Sequence, residues 1–119
     1  VATTETAHFE LVQQIPVVGN HDAEFAWVGG RPLLFLSEDR NNESPRVEST
    51  LLEFSEHENK FRQLQRIPTD GAHAAELFEV DGVAFLAVAN FGDRLGKRYD
   101  SESTLWRADP SGQFEQVAA

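Results

Sequence analysis

The sequence contains no cysteine and no methionine. Without cysteine the chain has no disulfide framework, thiolate zinc site, iron–sulfur cluster or thiol nucleophile. Because it begins at Val1 and lacks methionine, we expect a processed chain or a segment of a longer one. No apolar run approaches the roughly 20 residues of a transmembrane helix, and the first residues lack the pattern of a signal peptide. We therefore expect no membrane insertion.

Basic residues are also scarce. Ten Lys and Arg residues stand against twenty Asp and Glu residues, which gives a formal net charge of −10 at pH 7. Such a chain is repelled by phosphate backbones and anionic lipid, so nucleic acid is not an expected partner. The composition, 40% hydrophobic and 25% charged, is typical of a globular protein. A length of 119 residues accommodates one domain or part of a larger one.

What the chain does contain is an internal repeat with a period of 52 to 53 residues. Residues 9–16 and 61–68 both run from Phe to Ile-Pro, and residues 114–117 open a third copy. Matching residues continue at the same spacing: Gly19, His21, Ala23, Glu24, Val28 and Gly30 correspond to Gly71, His73, Ala75, Glu76, Val80 and Gly82. This self-similarity indicates a duplication.

Each repeat is predicted to consist of strands, because apolar and polar residues alternate and Gly-rich turns bound the apolar runs. Four short strands in about fifty residues are typical of a β-propeller blade. The predicted strands, from inner to outer, are 22–28, 33–38, 48–54 and 61–67 in blade one, and 74–80, 84–90, 102–108 and 114–118 in blade two. The fold class is therefore all-β, with two four-stranded antiparallel blades plus one extra outer strand near 9–15.

This pattern predicts an N-terminal extension (1–8), the outer strand of a preceding blade with its connecting loop (9–21), blade one with its loop (22–73) and blade two (74–119). A blade is apolar on both sides, and propellers close at about 4–8 blades. Further blades from the same or another chain are therefore expected partners. The extra strand favours a segment of a longer ring over a ring of identical chains, and exchange of that strand between chains stays open.

The stretch 61–90, FRQLQRIPTDGAHAAELFEVDGVAFLAVAN, resembles the epilepsy-associated repeat, also called EAR or EPTP, and residues 103–107 and 113–114 fit its end. The first copy departs from it at Leu36-Ser37-Glu38, where Val-Ala-Asn is usual. The resemblance implies a seven-bladed β-propeller in secreted or cell-surface proteins that bind other proteins and are not known for catalysis. It thus implies a non-catalytic interaction module at the cell surface or outside the cell.

The stretch 91–100 is locally basic in an acidic chain and contains residue types that are enriched at protein-binding hot spots. It matches the loop 39–46, and in a propeller both loops would lie on one face. The candidate binding residues are Phe91, Arg94, Lys97, Arg98 and Tyr99, together with Asp39 and Arg40. The alternative interpretation is a pair of variable, solvated loops.

Three carboxylates are candidate metal ligands. Asp22, Glu24 and Glu76 fall on innermost strands, where residues from successive blades line a channel and could hold a cation, calcium above all, through oxygen ligands. Asp22 is replaced by Ala74 in the second repeat. The alternative is that the repeated Glu accepts backbone hydrogen bonds at the end of the blade. No other cofactor is expected.

Catalysis has little support, because the sequence contains no nucleophile elbow, HExxH motif or close acidic pair. An active site completed by other blades is the alternative. Two further hypotheses are a structural subunit of a larger complex or filament that uses the open blade sides, and a glycan-binding, lectin-like propeller. Trp27 and Trp106 fall in predicted strands and are interpreted as packing residues of the blades.

Overall fold

The computed structural model describes residues 8–38, 46–92 and 102–119. These ranges contain eight β-strands: β1 (Asn20–Val28), β2 (Arg31–Glu38), β3 (Arg46–Ser55), β4 (Lys60–Asp70), β5 (Ala72–Val80), β6 (Val83–Asn90), β7 (Thr104–Ala108) and β8 (Phe114–Ala118). The described part of the chain forms no helix that could span a membrane.

The strands form two antiparallel sheets of four strands each, with the orders β1-β2-β3-β4 and β5-β6-β7-β8. This arrangement confirms the prediction of two propeller blades, which we call blade one and blade two. The eight strands end within three residues of their predicted limits. The agreement follows from the alternation of apolar and polar residues, which is a local property of each strand.

Two-residue turns join the first two strands of each blade. Gly29 and Gly30 have φ values of 56° and 73°, and Asp81 and Gly82 have φ values of 50° and 79°. Positive φ at both central residues matches the right-handed twist of the flanking strands, which explains the glycines in these turns. The paired residues Val28 and Arg31 close the first turn directly.

The core lies between the two blades. One side of blade one, here called its trailing side, packs against the facing, leading side of blade two in a single buried cluster. The trailing side contributes Val28, Leu33, Phe35, Leu51 and Ile67, and the leading side contributes Leu77, Ala84, Leu86, Val88, Trp106 and Phe114. Phe35 and Leu86 are fully buried at 0% exposure, so this interface is closely packed.

The other two blade sides are only partly covered. On the leading side of blade one, Phe25 is 49% exposed and Trp27 is 63% exposed. Their counterparts in blade two are Leu77, which is buried, and Glu79, which accepts a hydrogen bond from the Gly29 backbone N–H at 2.6 Å. These positions of the first strand are thus covered in blade two and exposed in blade one.

A glutamine clamp joins the outer strands of the two blades. The side-chain amide of Gln65 donates to the Phe114 carbonyl oxygen and accepts from the Phe114 backbone N–H, both at 2.8 Å. Gln13 forms the same pair of bonds with the backbone of Phe61, at 2.9 and 2.8 Å. The repeat therefore reproduces one directional contact between consecutive outer-strand segments.

Residues 8–17 form no strand, which differs from the strand predicted near 9–15. A strand requires backbone partners, and those of an outer strand belong to the third strand of its own blade. The segment nevertheless takes the position of a preceding outer strand relative to blade one, because Gln13 clamps Phe61 as Gln65 clamps Phe114.

We expect Phe35→Ala to lower the free energy of unfolding by about 3–5 kcal/mol, because it leaves a cavity in the interface between the blades. Phe25→Ala is the matched control on the open side, with an expected loss of about 1 kcal/mol. Urea unfolding of the dilute protein measures both. Equal losses would show that the blade interface is not the main core.

Gln65→Leu should cost about 1–3 kcal/mol, since it leaves the backbone groups of Phe114 without their partner. Gln63→Leu is the control, because Gln63 lies on the same strand and is exposed. Hydrogen exchange at the Phe114 amide should accelerate in the first variant only. Unchanged exchange would argue against the clamp.

Candidate functional site

Both candidate loops begin and end on one face of the two blades. The pairs Asn20 with Glu38, and Ala72 with Asn90, place the ends of β2 and β6 beside the starts of β1 and β5. The pairing of Arg46 with Asp70 places the start of β3 and the end of β4 on the same face. We call this the loop face, formed by residues 18–20, 38, 70–72, 90–92 and 102–104. The turns at 29–30 and 81–82 lie on the opposite, turn face.

Asn90 anchors the base of the second loop. Its Oδ1 accepts the backbone N–H of Asp70 at 3.0 Å, and its Nδ2 donates to the carbonyl oxygen of Glu102 at 3.0 Å. One side chain therefore joins the β4–β5 connection to both ends of the β6–β7 loop. Such bonds restrict where the loop leaves the blade.

Glu38 occupies the equivalent position in blade one and is 1% exposed. Its Oε1 accepts the backbone N–H of Val18 at 2.9 Å, which repeats the contact between Asn90 and Asp70. Its Oε2 accepts the Thr50 hydroxyl at 2.8 Å and lies 3.7 Å from Arg66 Nη2. Hydrogen bonds and a nearby guanidinium offset the cost of burying this carboxylate.

The root of the second loop is also held by its backbone. The N–H of Phe91 donates to Gly71 O at 3.0 Å, and the N–H of Gly92 donates to Asp70 O at 2.9 Å. The ring of Phe91 packs edge-on against His73 with centroids 4.6 Å apart. Phe91 is still 45% exposed, so an aromatic surface remains accessible at the root.

Among the predicted binding residues, Phe91 lies in the described part of the chain. Asp39, Arg40, Arg94, Lys97, Arg98 and Tyr99 lie outside the described residues. The described ends of both loops lie on the loop face, as expected for two equivalent connections of adjacent blades. That the loop residues form one binding surface stays a prediction.

The candidate metal ligands lie on the first strand of each blade. Asp22 and Glu24 are half-buried on β1, and Glu76 is exposed on β5. Glu24 pairs with Phe35 and Glu76 pairs with Ala87, so the two glutamates take equivalent places in the repeat. Within residues 8–38, 46–92 and 102–119, no three His, Asp or Glu side chains form a metal-binding group. The channel cation stays a prediction that depends on carboxylates of other blades.

The turn face contains an ordered acidic turn between β7 and β8. The Ser111 hydroxyl and the backbone N–H groups of Ser111 and Gln113 donate to the Asp109 carboxylate. These bonds hold the pKa of Asp109 below its usual value of 3.8, and the hydrogen bond from the Ser111 hydroxyl has the largest effect. The role of this carboxylate is to order the turn.

Sequence reasoning missed the residues that organise the loop face and the outer strands. Gln13 lies four positions after Phe9, and Gln65 lies four positions after Phe61. This repeated spacing was the sequence signal that could have identified the two glutamines. Glu38 and Asn90 end matching apolar runs. Their hydrogen-bond partners are distant in sequence, so no local pattern reveals them.

Comparison with known proteins agrees with the geometry. The model of the EPTP domain family matches residues 60–104. The mouse (Mus musculus) thrombospondin-type laminin G domain and EAR repeat-containing protein is 34% identical over 101 residues, which cover 82% of this chain and 15% of that protein. The human (Homo sapiens) protein of the same name is 33% identical over 107 residues, covering 87% of this chain and 15% of its own length. The chain thus spans 15% of the length of these relatives.

Gly71→Ala should disrupt the root of the second loop. Gly71 has a φ of 63°, and a Cβ there would overlap the carbonyl oxygen of Gly92. Gly82→Ala is the matched control, because Gly82 has a φ of 79° and a Cβ there would meet open space. We expect the control to cost about 1–2 kcal/mol from backbone strain alone and Gly71→Ala to cost clearly more. Thermal unfolding measures both, and equal losses would contradict the close approach.

Proposed function

The chain belongs to the EAR/EPTP repeat family, and from this membership we propose that it is a non-catalytic module that binds a protein partner through its loop face. The proposed binding residues are Phe91, Arg94, Lys97, Arg98 and Tyr99 of the second loop, with Asp39 and Arg40 of the first.

The observation that carries this proposal is the anchored root of the second loop. The backbone bonds from Phe91 to Gly71 and from Gly92 to Asp70, together with the Asn90 side chain, hold the start of the loop on a rigid β-scaffold. A loop that leaves a fixed base loses less conformational entropy on binding than one with mobile ends. Binding residues are commonly found on loops positioned in this way.

The chemistry of the loop also supports protein recognition. Arginine and aromatic residues contribute most to binding energy at protein interfaces, and the second loop contains both. The rest of the chain is strongly acidic, with a net charge of −10. A partner that offers acidic groups to the loop and basic groups around it would be steered into one orientation.

The proposed location is the cell surface or the extracellular space. The names of the relatives include a thrombospondin-type laminin G domain, which suggests an extracellular context. The partners and activity of those longer proteins are proposals for this chain, since it spans 15% of their length.

A structural role in a larger assembly is the second candidate function. It is favoured by the open leading side of blade one, where Phe25 and Trp27 are 49% and 63% exposed. Large apolar side chains on the open side of a blade call for a further blade from the same or another chain. The lectin-like alternative stays a prediction: Trp106 packs between the blades at 7% exposure, as expected, whereas Trp27 is 63% exposed and does not.

The proposal is tested by reversing the charge of the second loop. We expect the triple variant Arg94→Glu, Lys97→Glu and Arg98→Glu to lose at least tenfold in affinity for any partner found by screening the chain against an array of extracellular proteins. Native binding should weaken as salt rises, because exposed charges are screened. Biolayer interferometry measures both effects.

The matched control reverses Lys60 and Arg62 to Glu. Both side chains are exposed on β4 and form surface ion pairs with Glu58. Such pairs contribute little to stability, so this variant should fold and bind as the native chain does. Equal loss in both variants would indicate a general charge effect. Full binding by the triple variant would overturn the proposed surface.

A further inference from the structure

The outer edge of blade one is a long strand that forms a ladder on one side only. β4 contains eleven residues and lies at the end of the strand order β1-β2-β3-β4. In an antiparallel pair, alternate residues turn their backbone N–H and C=O groups away from the partner strand. An edge that presents such groups is a template for pairing with another chain. β4 is thus the strand of blade one at which edge-to-edge pairing of two copies would begin.

Phe61 and Asp70, near the two ends of β4, both turn their backbone groups outward. The Gln13 side chain accepts from the N–H of Phe61 and donates to its carbonyl oxygen, so these groups do not bond with β3. Asp70 donates its N–H to Asn90 Oδ1 at 3.0 Å, and its carbonyl oxygen accepts the N–H of Gly92 at 2.9 Å. Both ends of the outer edge therefore already have hydrogen-bond partners.

A β-bulge interrupts the edge between these ends. Leu52 pairs with Gln63 and Leu51 pairs with Gln65, which leaves Leu64 as an extra residue of β4. Alternation from either end of the strand, with one extra position at the bulge, gives the same set of outward residues between the ends. These residues are Gln63, Arg66 and Pro68.

The outward positions between the ends offer little to an added strand. Pro68 has no backbone N–H and cannot donate to a ladder. Gln63 and Arg66 lie on either side of the bulge, and a bulge bends a strand and increases its twist. The middle of the edge thus presents two separated positions in place of a continuous ladder.

The Gln13 amide has the chemistry needed to close a strand edge. A side-chain amide carries an acceptor oxygen and an NH₂ donor, so it can match the N–H and C=O of a peptide group. Its two bonds to Phe61, at 2.8 and 2.9 Å, occupy the groups that a neighbouring strand would use. Residues 8–17 form no strand, so no ladder continues beyond the clamp. The Gln13 clamp therefore ends the sheet and does not extend it.

We propose that Gln13 closes the outer edge of blade one to strand addition and so keeps copies of this chain from pairing edge to edge. Asn90 and Gly92 close the other end of the edge at Asp70, and Pro68 divides the part between. This role is separate from the proposed binding through the loop face, because it concerns backbone groups of β4 and requires no partner protein.

Reopening the edge tests this role. Gln13→Ala frees the backbone groups of Phe61, and Pro68→Val adds an outward N–H to the same edge. We expect the double variant to pair edge to edge, so that its Gln63 amide exchanges at least tenfold more slowly at several hundred micromolar than in dilute solution. In the native chain this amide should exchange at one rate at both concentrations. Hydrogen exchange followed by NMR measures both.

The matched control combines Pro68→Val with Gln14→Ala, because Gln14 is exposed and lies beside Gln13 on the same segment. Its Gln63 amide should behave as in the native chain, since the clamp on Phe61 is intact. Equal slowing in the control and the double variant would overturn the role of Gln13. Concentration-independent exchange in the double variant would also overturn it, even if that variant associates through other surfaces.

Gln13→Ala alone supplies a second measurement with the least disturbance of β4. In dilute solution its Phe61 amide should exchange faster than in the native chain, because the clamp is lost, and it should slow again as the concentration rises. Slow exchange at Ile67, which pairs with Ser49 inside the blade, reports that blade one is folded. Faster exchange at Phe61 that does not respond to concentration would contradict the proposal.

Discussion

The need of each blade to bury two apolar sides is the constraint on which the rest of this structure depends. Apolar burial is the main favourable term in folding, at roughly 25 cal/mol per Å², and a single four-stranded blade cannot supply it alone. The trailing side of blade one and the leading side of blade two satisfy this need for each other. The leading side of blade one leaves Phe25 and Trp27 exposed.

Polar contacts determine how the packed sides align. The hydrophobic effect is non-directional, so apolar burial alone would permit several relative positions of two blades. The paired amide bonds of Gln65 with Phe114 add direction, and Gln13 repeats them on Phe61. On the loop face, Glu38 and Asn90 accept backbone N–H groups of the preceding connection. These contacts thus determine how the two blades align and where the loops leave them.

Much of the fold could be predicted because the relevant signals are local. Period-two alternation and paired glycines give the strands and their turns, and the period of 52 to 53 residues gives the number of blades. The candidate site was harder to predict from the sequence. Phe91 could be selected by residue type, but its backbone bond to Gly71 and its ring contact with His73 depend on two connections that meet in space. The segment 9–15 has the sequence pattern of a strand, yet it forms none, because it lacks a neighbouring strand to share backbone hydrogen bonds with.

The sequence by itself determined the all-β class, the two blades, the strand limits and the family resemblance, because these depend on patterns within a few residues or on a simple repeat. Only the tertiary structure decided which side of each blade is covered and which backbone groups Gln13 and Gln65 bind. It also decided which hydrogen bonds offset the cost of burying the Glu38 carboxylate. These features depend on residues about fifty positions apart coming into contact, and no local preference specifies such contacts.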